Sequence, residues 1–507
     1  MLAALIVVKS FNSGRTASVH TSLTSIMTAA ATALDIIIMA AGKGTRMKSR
    51  IPKVLQKLAG RPLLQHVVAE AQSLHPRRVV VVTGHCADEV EAACAAFTLP
   101  EATPLEMQFV RQEPQLGTGH AVQQAVPKLP DDDGVVVVLS GDVPLTEAST
   151  VAELVKACGG DQLALLTVRV SDPTGYGRIV RDANGVVQRI VEHKDASDEQ
   201  RASIKEIYSG IMAAPAKRLK AWLSQLNNDN AQREYYLTDV VAMAVADGVA
   251  VVGHCITDAL QVAGVNSPLQ LAELERAHQL RQAAALMEQG VRLADPARFD
   301  LRDDVRGVLA ELSCSTDVEI DVGCIFTGRV TLGEGARIGA YCHISNAEIA
   351  AGAVIHPFSH IDGGGDAAGV SVGEGSLIGP FARLRPGARL GREVHIGNFV
   401  EVKNSSLADG AKANHLAYLG DASVGERVNY GAGSITANYD GVNKHRTVIE
   451  ADVHVGSNCV LVAPITIGAG GTVGGGSTLT KSTDAQALTV SRGKQVSIAN
   501  WKRPVKR

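Results

Sequence analysis

Past Asp303 the apolar residues return every six positions. Val372, Ile378, Leu384, Leu390, Ile396 and Val402 make one unbroken run, and Ile449, Val455, Leu461, Ile467, Val473 and Leu479 make another. An α-helix repeats near 3.6 and a simple strand at 2, so neither yields this pattern. A triangular parallel β-coil does, with one inward aliphatic on each side and a turn at each corner. Glycine follows the inward position in Ile378-Gly379 and Ile467-Gly468, where the chain must turn tightly. The C-terminal half is therefore expected to be a hexapeptide-repeat β-helix. Such a prism fills its own interior, which puts its ligands outside, between neighbouring coils of a homo-oligomer. The rhythm breaks around Asn404 to Tyr418 and Ser434 to Thr447, and both breaks read as loop insertions, where function concentrates on a rigid solenoid.

The N-terminal half has a different grammar. From Asp35 to about Val252, short apolar runs such as "RVVVVTG" and "GVVVVLSGD" alternate with helical spacing, as in "LLQHVVAEAQSL". Continuous apolar runs that end in turn residues are what strands buried on both faces look like. This half is expected to be an α/β Rossmann-like domain with an open, mostly parallel sheet, and ligands of such sheets bind at the carboxyl ends of the strands. Its first strand, Ile36 to Ile38, breaks into "MAAGKGTRMKSRIPK". Small residues there let backbone N–H groups approach a ligand, and Lys43, Arg46 and Lys53 supply charge for phosphates. The spacing fits neither G-x-G-x-x-G nor a Walker loop, so the stretch alone says only that something phosphorylated could sit there. Residues 268–290 form one long helical pattern, with Pro268 at its start and Gly290 at its end, and read as a strut between the domains.

At 507 residues the chain is too long for one ordinary core. A net charge of -3 offers no global attraction for nucleic acid or an anionic membrane. The cysteines are scattered without C-x-x-C spacing and read as reduced thiols of a cytoplasmic protein. No apolar run reaches the length of a membrane span. Residues 1–34 contain no acid and read as a disordered extension, or as a start assigned too early with Met27 the true one.

The ordered motifs "AAGKGTRM", "PKVL", "QLGTGHA", "GDVPL", "PTGYGRI", "VEHKDA", "YYLTD", "GVN", "GPFARLRPGA", "GNFVEVK", "AYLGDA" and "ANYDG" run through nearly the whole chain. Together they resemble the bifunctional N-acetylglucosamine-1-phosphate uridyltransferase and glucosamine-1-phosphate acetyltransferase family of bacterial cell-wall precursor synthesis. The resemblance implies a uridyltransferase domain over residues 35–267, a linker helix, and a left-handed β-helix acetyltransferase domain over 291–507. It implies a homotrimer and small-molecule substrates, with UTP and acetyl-CoA as co-substrates and Mg²⁺ as cofactor.

In the first domain the resemblance places UTP in the Met39, Ala40, Ala41 and Gly42 turn, with Gln112, Gly117 and Thr118 facing uracil. Arg46 and Lys53 would hold phosphates, Ser140 and Gly141 would belong to the UTP and UDP-N-acetylglucosamine site, and Asp142 and Asn266 would hold Mg²⁺. Gly177 and Glu192 match the sugar-gripping positions. One position departs from the family pattern: Tyr208 stands where the pattern has Asn, which puts the sugar side of the pocket in question. In the second domain His415 matches the general base, Arg385 and Lys403 the phosphate holders, and Tyr418 and Asn429 the sugar contacts. Ala432, Asn438, Tyr439, Ser457, Gly475 and Arg492 match the acetyl-CoA channel. The alternative is a sugar-nucleotide pyrophosphorylase whose β-helix only assembles the oligomer. His415 and Tyr418 at a rhythm break argue against it, since a scaffold needs no such loop.

Overall fold

The structure, a computed structural model, describes residues 33–99, 107–365 and 369–503. The expectation for the N-terminal extension falls almost wholly outside them. The described chain divides between Arg281 and Gln282 into two compact units.

In the first unit Leu34–Met39 is an inner strand of an open sheet. It pairs in parallel with Arg78–Thr83 on one side and Val135–Ser140 on the other, and Met107–Arg111 extends the parallel edge. Successive residues of the strand serve opposite faces: Ile37 packs with Val80, Val82, Val136 and Val138, while Ile36 and Ile38 pack with Val79, Val81, Val135 and Val137. Burial on both faces is the physical reason the apolar runs are continuous rather than alternating. The sheet is less uniform than its sequence suggests. Glu206–Pro215 inserts antiparallel between Val135–Ser140 and Leu163–Arg169, and it carries an antiparallel hairpin of Arg178–Arg181 and Val187–Val191. Gly210, at φ 88, accompanies a register shift in that strand between Tyr208 and Met212.

The helix predicted over 268–290 spans Pro268–Glu288. It is packed as well as connecting. Leu274 is buried in the first unit with Met47, Leu58, Leu63, Leu145 and Val265, while Ala283 and Leu286 are buried in the core of the second.

The second unit is a left-handed parallel β-helix with three faces. One face is a ladder of eleven short strands from Arg292–Leu293 to Leu488–Thr489, and the other two are joined through shared strands into a ladder of seventeen. Every member of both six-residue runs is buried, none more than 5% exposed. A third run, Cys314, Ile320, Phe326, Leu332, Ile338 and Ile344, is also inward and buried. Gly468 is required by the neighbouring coil, since a side-chain carbon there would lie 2.5 Å from the backbone nitrogen of Ala485.

The two rhythm breaks differ in kind. Arg383 pairs with Glu401, eighteen positions on, but Glu401 pairs with Tyr418, only seventeen on. The break around Asn404 to Tyr418 is therefore a shortened coil, which corrects the expectation of an insertion there. The residue is lost between Val402 and Ser406, since Leu384 pairs with Val402, eighteen positions on, and Arg389 with Ser406, seventeen on. The second break is a true insertion: Ala422 pairs with Thr447, twenty-five positions on, and the extra chain folds back through a bridge between Tyr439 and Lys444.

Candidate functional site

In the first unit, the ends of adjacent strands are tied into one floor. Ala40 N–H donates to Val82 O at 2.8 Å and Gly141 N–H donates to Met39 O at 2.9 Å. Ala40 and Ala41 are buried, whereas a side-chain carbon built on Gly42 meets nothing within 4 Å, so the loop offers bare backbone to whatever lies above it. Gly44, at φ 59, rests on the stem of Lys53, where an added carbon would come within 2.6 Å of the lysine Cβ. Arg46 is exposed on the single turn Thr45–Met47.

Three residues far apart in sequence converge under this loop. The Lys53 ammonium makes a short ion pair with Asp142 Oδ2 and donates to Asn266 Oδ1 at 3.2 Å. Ser140 Oγ donates to the other carboxylate oxygen, Asp142 Oδ1, at 2.6 Å. Val265 N–H donates to Asp142 O at 2.9 Å, which fixes the Asn266 turn beside the Asp142 turn. Among the described residues there is no group of three or more His, Cys, Asp or Glu able to hold a metal. Two hard oxygens nevertheless face a single cation, and Mg²⁺ takes few protein ligands beside substrate oxygens. The donor set fits that ion.

Gln112 is buried, and its amide donates to Gly117 O at 2.9 Å. The Thr118 hydroxyl accepts from Leu237 N–H at 3.1 Å. Gly177 and Glu192 are brought together, since a carbon added at Gly177 would lie 3.7 Å from the carboxylate oxygens. Thr238 Oγ1 donates to Glu192 at 3.0 Å, yet burial outweighs that bond and raises the carboxyl pKa. Tyr208 N–H donates to Gly177 O at 2.9 Å, which sets the tyrosine beside the same group. The Tyr208 side chain is 7% exposed, and its hydroxyl is buried without a hydrogen-bond partner. Burial, then the Glu192 charge, push that phenol well above its ordinary pKa.

In the second unit the residues expected to act together lie on strands either side of one corner. Lys412–His415 and Asn429–Tyr430 belong to the eleven-strand face, and Glu401–Lys403 and Tyr418–Gly420 to the next. His415 is exposed beside the corner residue Leu416. Arg385 donates to Glu401 at 2.8 Å. Lys403 has its pKa lowered, first by Lys444 within hydrogen-bond range, then by partial burial and by the nearby Arg385 charge. Arg385, Lys403 and Lys444 thus form one positively charged cluster. Asn429 Nδ2 lies 3.0 Å from His454 Nε2.

Ala432, Ser457 and Gly475 climb successive coils as one column. Asn458 N–H donates to Ala432 O at 2.7 Å and Gly476 N–H donates to Ser457 O at 2.8 Å, while Arg492 closes the column on Gly475 O at 2.9 Å. Tyr439 is exposed, with its hydroxyl donating to Gly441 O at 2.5 Å. Asn438 is turned inward instead: it is buried and its amide donates to Asp421, whose other oxygen takes Asn404. With His445 N–H donating to Asn438 O at 2.8 Å, these bonds tie the base of the inserted loop.

Comparison with known proteins follows the same division. The MobA-like NTP transferase domain family matches residues 36–289, and the bacterial transferase hexapeptide family, six repeats, matches residues 369–404. A bifunctional GlmU protein of Acidovorax ebreus (strain TPSY) is 78% identical over 476 residues, covering 94% of this chain and 99% of its own. That of Paracidovorax citrulli (strain AAC00-1) is 76% identical over 475 residues, with coverage of 94% and 99%. The chain belongs to the bifunctional GlmU family. As a GlmU-family chain it joins a uridyltransferase domain to a hexapeptide acetyltransferase domain.

Within this GlmU-family chain, residues beyond those expected from sequence belong to the same clusters. Tyr176, in "PTGYGRI", has its phenol pKa raised by burial and by the Asp142 charge, which places it beside the Lys53 cluster. Lys444 joins Arg385 and Lys403, and Glu401 orients Arg385. Lys444 sits in a loop outside the repeat, where periodicity carries no signal; Glu401 lies in the quoted motif "GNFVEVK" but without its partner looks like any strand carboxylate.

Proposed function

We propose that the chain makes UDP-N-acetylglucosamine in two steps. The acetyltransferase domain moves the acetyl group of acetyl-CoA to the amine of glucosamine 1-phosphate, and the uridyltransferase domain joins the product to UMP from UTP with release of pyrophosphate. The reading is carried by one observation: both domains bring together the charges that their reactions need, Lys53 with Asp142 and Asn266 in one, Arg385, Lys403 and Lys444 in the other.

In acetyl transfer, the three cations hold the sugar phosphate and His415 takes the proton that the ammonium must lose before its nitrogen attacks the thioester carbonyl; the CoA thiolate leaves. Tyr418 and Asn429 orient the sugar, and the column Ala432, Ser457 and Gly475 lies along the acyl donor. In uridylyl transfer, the sugar phosphate oxygen attacks the α-phosphorus and pyrophosphate departs, so the work is alignment and charge neutralisation. The bare backbone of the Met39 to Gly42 turn holds the nucleotide, Arg46 and Lys53 face the phosphates, and Glu192 grips the sugar. Asp142 and Asn266 would hold Mg²⁺, which would supply positive charge to offset that of the phosphates.

The working form is a homotrimer in the cytoplasm. A stack of exposed rings supports association: Tyr341, Phe358, Phe381 and Phe399 climb one corner with centroids 5.0 to 5.4 Å apart and lead to exposed Leu416 beside His415. An apolar strip of that length on a soluble surface marks an interaction site. Eight unpaired thiols fit a reducing compartment. Among the described residues, no helix is long and apolar enough to cross a membrane.

Incubation of the full chain with glucosamine 1-phosphate, acetyl-CoA, UTP and Mg²⁺ is expected to yield UDP-N-acetylglucosamine and pyrophosphate. Absence of product at every magnesium concentration sinks the proposal. A chain that uridylylates ready-made N-acetylglucosamine 1-phosphate but never acetylates restores the scaffold alternative.

A further inference from the structure

Lys53 occupies an unusual place for a phosphate-facing lysine. Its side chain is 13% exposed, and its ammonium is spent on Asp142 Oδ2 and Asn266 Oδ1, the two oxygens assigned to the metal. Ser140 already donates to Asp142 Oδ1, so Oδ2 is the carboxylate oxygen left for a cation. An ammonium and a divalent ion cannot share this pair, because like charges at contact distance repel and one carboxylate neutralises only one charge. We propose that Lys53 is a resident counter-ion that holds the metal position closed, and that it is exchanged for the divalent ion when its ammonium moves to the nucleotide phosphates. This rests on the reading of Asp142 and Asn266 as the metal holders.

The local structure gives Lys53 one alternative partner. Pro52 precedes it and fixes the start of the turn Lys53–Leu55, and Gly44 closes over its Cβ, so the stem is pinned under the nucleotide loop. The mobile end can reach Asp142 and Asn266 below or an anion on the loop above. Triphosphate on the loop draws the ammonium upward and frees the two oxygens, and a metal on those oxygens drives the ammonium upward to the phosphates. Each ligand therefore favours the other, and by linkage the factor is the same in both directions. A nucleotide-free chain keeps its half-buried carboxylate paired, which avoids the cost of an uncompensated charge.

The test uses Mn²⁺ and the full chain without nucleotide. Lys53→Met is expected to bind Mn²⁺ roughly tenfold more tightly than the unsubstituted chain by calorimetry, because a competing unit charge has gone. Equal or weaker binding by Lys53→Met, in a protein whose Asp142→Ala variant loses Mn²⁺, overturns the exchange and leaves the metal holders standing. An Asp142→Ala variant that binds Mn²⁺ as well as the unsubstituted chain overturns both. A second measurement needs no variant: acetylation of Lys53 by a lysine-specific reagent, followed by mass spectrometry, is expected to speed up severalfold on adding Mg²⁺. An unchanged rate at Lys53 overturns the exchange.

Discussion

At the scale of single residues, the chain's departures from pattern are the informative positions. Tyr208 replaces the expected Asn with a larger side chain, and the structure accommodates it by burying the ring and leaving the hydroxyl unpaired beside Glu192. A buried hydroxyl without a partner costs about 1–3 kcal/mol. Tyr208→Phe is therefore expected to melt at the same temperature or higher. If the hydroxyl meets the sugar, the same variant raises KM for N-acetylglucosamine 1-phosphate severalfold; an unchanged KM shows that it does not. His66 illustrates a different cost. It is buried, with Nε2–H donating to Leu58 O at 2.9 Å, and burial first, then the Arg61 charge, push its pKa down from 6.5 to about 3. The unfolded chain binds this proton below 6.5 and the folded chain only near 3, so stability is whole above 6.5 and is lost as pH falls toward about 3. His66→Gln keeps a donor for Leu58 O, and its melting temperature is expected to fall less over that range than that of the unsubstituted chain. Parallel slopes contradict this account.

Loops and coils decide where the residues act. Gly44 has φ 59 and no room for a side chain above Lys53. Gly44→Ala is expected to destabilise the first domain by about 1 kcal/mol or more and to lower uridylyl transfer, while acetyl transfer persists. Retained uridylyl transfer would mean that the loop rebuilds itself around the new side chain. In the β-helix the inserted loop, held at its base by Asn438 on Asp421, brings Lys444 close to Lys403, in the cluster proposed to hold the sugar phosphate. Lys444→Ala is expected to raise KM for glucosamine 1-phosphate about tenfold or more, by loss of one charge-assisted contact, with KM for acetyl-CoA unchanged. Equal rises in both would assign the loop to general architecture rather than to the phosphate.

For the whole molecule, two compact units with separate cores carry two chemistries. His415→Ala is expected to abolish acetyl transfer without touching uridylyl transfer from ready-made N-acetylglucosamine 1-phosphate, and Asp142→Ala to do the reverse. Association is a separate matter. Charge placed in the ring stack, as in Phe381→Glu, is expected to shift the sedimenting species from trimer to monomer, and an unaltered trimer would remove the stack from the interface.

The sequence alone determined whatever repeats or is locally crowded. One inward aliphatic in six specifies a β-helix because no other backbone period places those side chains inside, and the isoleucine and valine runs specify buried strands because only doubly covered strands can spare polar residues. Motif order also carried the family, along its whole length. Tertiary structure decided what depends on distant pieces meeting. Lys53, Asp142 and Asn266 share one cation position only because two strand ends and a turn are tied by Gly141 on Met39 and Val265 on Asp142. Lys444 comes close to Lys403 only because its loop turns back through the bridge between Tyr439 and Lys444. A skipped residue looks like an insertion when read along the chain; only the pairing of Glu401 with Tyr418 distinguishes a shortened coil from a longer one, because hydrogen-bond register is a relation between coils.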